Sequence, residues 1–441
     1  ERTTVNRVVA GSSPARSAIF LFFVKDKIEG ENSMGNTTGQ FFQENLEKAK
    51  EKKRQKINRL KQRRFSIFLI AIILMVLSSI NMVSAAFYMK PENIKKHFLY
   101  ILIFFIIYLF LGNIGKIKKY NLTYKILSER KVNGIVFLTS IVILLGMYIG
   151  GKMGLSFIPK INGAYGWINL GPVSIQPAEI LKCAFVINMA NCLARAEDND
   201  LSESVTIINS LIYLSVYGVL ILAQKDMGTV IHYFSIWVFM IFMSKLKDKW
   251  ILRVGTAGIT LGITGLAAVY KFASEEGASY KIMRIKSYID GLFFGNYSDD
   301  YGYQVKQSVY AFGSGGFFGK GYANGVQKYS YLPEIHTDFI MATFGEEFGI
   351  IGMFVVIGLF FALYHLIIIT GRESKNYFGK YLAMGIGAQI ITQVIINIFV
   401  AVGLFPVFGL PMPFFSYGGS AMVTMGIALS LIHSINIDVD I

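Results

Sequence analysis

Leu332-Pro333-Glu334-Ile335-His336-Thr337-Asp338-Phe339, followed by Ile340 and Met341, is the boundary at which a polar stretch, residues 272–337, gives way to a long apolar run. That boundary decides the fold class. An ionisable side chain at the mouth of a membrane span is costly to desolvate and is usually kept for a task. Two acids, Glu334 and Asp338, and one histidine, His336, sit at this mouth. They point to chemistry on a molecule that itself resides in the bilayer.

The composition around this boundary agrees. The chain has 441 residues, 53% hydrophobic and only 16% charged, fewer charges than a soluble protein of this size carries. Its apolar residues fall into ten runs near 65–88, 97–114, 133–151, 177–194, 204–223, 228–244, 250–271, 338–369, 377–405 and 419–436. Each is long enough to be read as a span, the eighth and ninth long enough to be bent or partly interfacial. The expected fold is an all-α polytopic membrane protein of about ten transmembrane helices, with one large extracytoplasmic loop between spans seven and eight. The formal charge of +15 fits the basic bias of cytoplasmic loops. The basic residues flank spans instead of forming a surface with interleaved aromatics, so no nucleic-acid partner is expected. The two cysteines, Cys183 and Cys192, lie roughly 13 Å apart on one helix, too far to bridge.

Residues 1–33 contain no Met, and Val8 to Arg16 back-translate to the kind of sequence found in the T-arm of transfer RNA genes. They are expected to be an upstream segment outside the protein proper, with Met34 the start. Residues 34–64 form a charged helical segment, 65–436 the membrane domain and 437–441 a short tail. The segment before span one, the loop with Lys116, Lys118, Lys119, Lys125, Arg130 and Lys131, and the loop with Lys245, Lys247 and Lys249 all fall on one side of a ten-span arrangement. That side is expected to be cytoplasmic, with both termini inside.

Further motifs cluster toward the opposite, outer side. Asn162 to Glu179 holds Trp167-Ile168-Asn169-Leu170-Gly171-Pro172 and Gln176-Pro177-Ala178-Glu179. Glu179 and Lys182 share one helical face inside an apolar span, where each alone costs several kcal/mol, so they are expected to pair. The pair reads either as a structural ion pair or as a charged floor to a substrate cavity. Lys225 and Asp226 occupy a tight turn, either solvated or lining that cavity. Gly313-Ser314-Gly315-Gly316-Phe317-Phe318-Gly319-Lys320-Gly321 lacks a preceding strand and a Walker ending, and reads as a tight or flexible loop. Its amides, with Lys320 and Lys328, are in a position to approach a pyrophosphate. Gly409 to Ser420 carries Pro411, Pro413 and Ser416; the two prolines forbid regular helix.

These segments together resemble the SEDS family (shape, elongation, division and sporulation; the FtsW/RodA/SpoVE type). The matching stretches are Trp167–Pro172 with Gln176–Glu179, Gln224–Thr229, Gly313–Gly321, Leu332–Phe339 with Gly345-Glu346-Glu347, and Pro411–Ser420. The resemblance implies a glycosyltransferase that polymerises lipid II, the undecaprenyl-pyrophosphate-linked disaccharide peptide, into peptidoglycan. It implies a class B penicillin-binding transpeptidase and other divisome or elongasome membrane proteins as partners. It maps the family's essential acid onto Asp338. Two departures stand out. Tyr165-Gly166 replaces an Arg pair, and Lys225 replaces a Pro. Ala323–Lys328 leans toward the division type and Gly409-Leu410-Pro411 toward the elongation type.

The chemistry fits these residues. Extending a glycan from a lipid pyrophosphate needs a base for the acceptor hydroxyl, a role for Asp338 with His336 as competitor and Glu334 in support. The departing pyrophosphate needs cations opposite, from Arg284, Lys286, Lys320 or a divalent cation, Mg or Mn. No other cofactor is expected, because the donor is already activated. The competing readings are a flippase for lipid-linked precursors and a non-catalytic scaffold.

Overall fold

The computed structural model describes residues 35–85, 91–114, 124–161, 163–171, 173–198, 201–247, 280–298, 302–329, 332 and 335–440, with scattered residues in 249–271. The upstream segment 1–33, Glu334 and most of the seventh expected span lie outside the described residues. The chain divides into two compact units, residues 1–62 and 63–441. In the first, the charged segment is helical as expected, with exposed Glu44–Lys48 and Glu47–Lys50 pairs one turn apart. Such pairs contribute little stability.

The second unit is a bundle. The helices are α1 (Gly35–Ala85, entering the bundle from Arg63), α2 (Pro91–Ile114), α3 (Arg130–Lys152), α4 (Pro177–Glu197), α5 (Glu203–Ala223), α6 (Met227–Phe242), α7 (Tyr280–Phe294), α8 (Tyr303–Gly315), α9 (Ile340–Arg372), α10 (Tyr377–Ala401) and α11 (Gly419–Asp440). A hairpin of two two-residue strands, Ile168–Asn169 and Ser174–Ile175, precedes α4, with Ile168 opposite Ile175. Among the described residues, eight helices are long and apolar enough to cross a membrane, and α6 is a shorter apolar helix. The large loop 272–337 is not structureless, since it contains α7 and α8. The expected bend in the eighth span is real, and Gly349, at φ +66° inside α9, makes it.

The hub is α4 with α10. In each, 83% of the most apolar window is buried, against 22% in α2 and α3. α10 packs on α4, α9 and α6, and α11 packs on α2. Apolar burial cannot hold helices together in lipid, so close approach and interhelical hydrogen bonds must do so. Both occur at the hub. Tyr233 on α6 donates to the Ala178 carbonyl at 2.9 Å, and His232 on α6 meets the Gln389 carbonyl at 3.0 Å. Gly385 lets α10 press onto α4 and α6: a Cβ there would lie 2.5 Å from Val186 Cγ1 and 2.8 Å from Met240 Cε.

Gly385→Val is therefore expected to destabilise the bundle by about 1–3 kcal/mol through overpacking. Thermal unfolding of the detergent-purified protein checks this; an unchanged midpoint would show that the hub yields.

Candidate functional site

Four segments meet at one end of the bundle: the hairpin region before α4, the α5–α6 turn, the turn before α9 and the α10–α11 connection. Asp338 lies in the turn formed by Ile335–Phe339, directly before α9. Ile335 and Phe339 are buried with Leu332, Leu410, Ile396 and Val400, which anchors the turn. Asp338 itself is half-buried.

Three hydrogen bonds hold the turn, two from the α10–α11 connection and one from α10. Asn397 Nδ2, on α10, donates to the Asp338 carbonyl at 3.0 Å and to the Leu410 carbonyl at 2.8 Å. Ser416 Oγ donates to the Thr337 carbonyl at 2.5 Å and accepts from the Met412 amide at 2.7 Å. The Tyr417 amide donates to the His336 carbonyl at 2.8 Å. The His336 ring stands edge-on to Tyr417, centroids 5.7 Å apart. Burial raises the Tyr417 phenol above its ordinary range, and neighbouring Tyr100 adds to the shift, so it stays protonated. Gly409, at φ +75°, faces the carboxylate: a Cβ on it would lie 3.8 Å from Asp338 Oδ2. Phe414 holds φ +60°, an outlier for a bulky side chain. Its ring is held between Phe104 and Phe360, and Ser78 Oγ donates to the next carbonyl, that of Phe415.

One turn along α10 from Asn397, Gln393 Nε2 donates to the Pro411 carbonyl at 2.8 Å and reaches Glu179 Oε1 at 3.4 Å. Glu179 Oε2 pairs with Lys182 Nζ at 2.6 Å, and both side chains are at most 2% exposed. The expected pair forms, with Gln393 as a third partner, and burial leaves neither charge open to solvent. Asp226 caps α6, accepting from the Thr229 amide and hydroxyl, and takes Gln176 Nε2 at 2.7 Å. The Gln176 amide donates to Ser420 Oγ at 2.7 Å. Asp226 is thus a joint between the hairpin region and the α5–α6 turn. Lys225, exposed, occupies the left-handed region at φ +66°.

The Gly-rich string behaves differently from a phosphate loop. The Lys320 and Gly321 amides bond to the Glu346 and Glu347 carbonyls at 3.0 Å each, and the Ile350 and Ile351 amides bond to Gly316 and Phe317 carbonyls. The loop is a clamp on the α9 bend. Lys320 pairs with buried Glu346 at 2.7 Å, and Lys328 with buried Glu347 at 2.6 Å, assisted by Ser84. Those amides and both lysines are occupied by α9, because two carboxylates buried in a membrane helix need cations beside them. Arg284 lies on α7. Among the described residues, no three His, Cys, Asp or Glu side chains gather as a metal set.

The sequence reading missed the roles of Gln393 and Asn397. The signal was present: Gln389, Gln393 and Asn397 recur every fourth residue, one polar stripe on an apolar helix.

Residues 64–440 match the model of a family described as cell cycle proteins, the FtsW/RodA/SpoVE family. A relative from Trichlorobacter lovleyi, named probable peptidoglycan glycosyltransferase FtsW, is 32% identical over 75% of this chain and 82% of its own length. One from Tolumonas auensis with the same name is 34% identical over 66% of this chain and 75% of its own. Among solved structures, a chain from "Structural coordination of polymerization and crosslinking by a peptidoglycan synthase complex" superposes with a TM-score of 0.66 at 22% identity, covering 85% of this chain and 98% of that one. The rod shape determining protein RodA of Thermus thermophilus superposes with a TM-score of 0.58 at 20% identity, covering 84% and 96%. These two likenesses concern the fold.

The buried pair makes a clear prediction. Glu179→Ala or Lys182→Ala strands its partner and should cost about 3–5 kcal/mol, while the double variant recovers much of the loss. Thermal unfolding of all three in detergent checks this; single variants as stable as wild type would show the pair to be solvated.

Proposed function

Starting from the membership of this chain in the FtsW/RodA/SpoVE family, we propose that it is a peptidoglycan glycosyltransferase that polymerises lipid II at the outer face of the cytoplasmic membrane, with Asp338 as general base. The observation that carries the reading is the Asp338 turn itself. A half-buried carboxylate stands at the mouth of α9, its backbone held by Asn397 and its flanks by Ser416 and Tyr417. A base needs that combination of access and fixed position. In the step, Asp338 takes the proton of the acceptor sugar hydroxyl as its oxygen attacks the anomeric carbon of the donor. The bond to the lipid pyrophosphate breaks, and an α-linked donor is inverted to a β-linkage.

The negative charge that develops on the pyrophosphate falls to cations other than Lys320 and Lys328, whose charges balance Glu346 and Glu347. Lys225 on its turn, with Arg284 and Lys286 on α7, are the residues assigned here. A divalent cation, Mg or Mn, would supply the same stabilisation. The described side chains do not form a three-residue cage for it, and no step above is routed through a metal. The buried Glu179–Lys182 pair supports polymerisation over lipid-linked precursor transport, since it lies in the first turns of α4, at the Asp338 end, and not at a midplane substrate site. The same family membership supports a class B penicillin-binding transpeptidase as partner. The basic loops support an orientation with both termini cytoplasmic.

Two outcomes are expected. Asp338→Asn keeps the fold but lowers lipid II polymerisation by at least about 10²-fold, while Glu334→Gln is milder. Glycan product length on gels, with the transpeptidase present, checks this; full-length product from Asp338→Asn would remove the residue from the mechanism, and loss confined to His336→Gln would move the base there. For orientation, a reporter after Ile441 should read cytoplasmic and one near Tyr297 external. External labelling near Lys118 in intact cells would reverse the assignment.

A further inference from the structure

The far end of the bundle holds a second built feature. α4 runs from the Gln176–Asp226 joint to Glu197, roughly 30 Å away. There the ends of α4, α9 and α10 and the start of α3 enclose a cavity of about 840 Å³. Six basic and two acidic side chains line it. Of the lining acids, Glu197 is only 4% exposed at its side chain and holds two of the cations, Lys245 at 2.7 Å and Lys380 at 2.8 Å, with the Tyr381 hydroxyl donating to it as well. Lys380 also lies 4.8 Å from the centre of the Tyr381 ring, which fixes its place. Among the described residues, Arg195, Arg372 and Lys375 have no ion-pair partner, and the buried Arg195 Nε has no hydrogen-bond acceptor. The start of α10 (Asn376, Tyr377, Phe378) opens on the same space, adding the positive end of a 25-residue helix.

We infer that this cavity is a binding site for a phosphate-bearing anion, distinct from the Asp338 site, and that its natural occupant is the headgroup of an anionic membrane lipid. Solvated loop charges would spread over a surface and need no concavity. Here an excess of cations is gathered in a pocket between helix ends, where a span meets the headgroup layer, the setting in which basic pockets take phosphorylated headgroups. Glu197 keeps Lys245 and Lys380 in place, and the unpaired Arg195, Arg372 and Lys375 supply the donors for phosphate oxygens. A free pyrophosphate presents the same chemistry from the aqueous side.

The test uses the full chain in phosphatidylcholine nanodiscs. Cardiolipin is titrated in and detected by native mass spectrometry, and inorganic pyrophosphate is titrated separately by calorimetry. Wild type should retain cardiolipin. The Arg195→Gln/Lys375→Gln double variant should bind it more than about tenfold more weakly, the effect of two surface cations. Lys247→Gln, exposed and outside the cavity, should bind as wild type. Pyrophosphate binding without cardiolipin binding, lost in the same variant, would uphold the anion site but overturn the lipid as its occupant. Should the double variant misfold, exposed Lys375→Gln alone should weaken binding about fivefold. Binding of both probes unchanged in the folded variants, or an equal loss in Lys247→Gln, would overturn the site.

Discussion

Backbone that is not helical inside a membrane bundle must find its hydrogen bonds within the protein, and this requirement shapes the Asp338 end. Four carbonyls of the two turns there, those of Thr337, Asp338, Leu410 and Pro411, are met by three side chains: Ser416, Asn397 and Gln393. Two of those side chains lie one turn apart on α10, the helix that also packs against α4, α6 and α9. The position of Asp338 is therefore set by the hub. A shift of α10 would move the turns and the carboxylate together. The strained backbone at Phe414 is tolerable for the same reason, because its ring is wedged between Phe104 and Phe360.

Among the described residues, the buried acids follow one rule. Glu179 with Lys182, Glu346 with Lys320, Glu347 with Lys328 and Glu197 with Lys245 and Lys380 each place an acid beside a cation within 3 Å. Such pairs are weak evidence for stability as such, since burial costs both charges their water. Their clearer role is positional. The Glu346 and Glu347 pairs fasten the Gly-rich loop to the bend of α9, and Gly319 and Gly349 permit it: a Cβ at Gly319 would lie 2.1 Å from the Glu347 carbonyl oxygen, and one at Gly349 2.4 Å from the Gly319 amide nitrogen. The Gly-rich loop, read from the sequence as a tight or flexible loop, is thereby a brace for the helix that begins at the Asp338 turn.

The two ends of the bundle differ in kind. The Asp338 end is built from turns whose backbone is satisfied by side chains, and it presents acids. The Glu197 end is a basic cavity around one buried acid. Three helices, α4, α9 and α10, run between them, and α4 has Asp226 and Ser420 tethered through Gln176 at its start and Glu197 at its finish.

Much of this was legible in the chain alone. Long apolar runs require helices in lipid, so the all-α membrane class followed from composition and length. The Glu179–Lys182 pair was readable because three-residue spacing puts both on one face and lipid forbids leaving either alone. Asp338 stood out because an acid between a polar loop and an apolar run is rarely idle, and the ordered motifs carried the family. Tertiary structure alone decided the partners of the remaining charges. Lys320 and Lys328 lie 26 and 19 residues from Glu346 and Glu347, and nothing local says that a chain reversal will bring them together. The same holds for Asn397, 59 residues from the carbonyl it supports. Its polar stripe was visible, but which backbone it serves depends on how α10 packs. Local pattern determines what a residue can do, and only the packed bundle determines to what it is done.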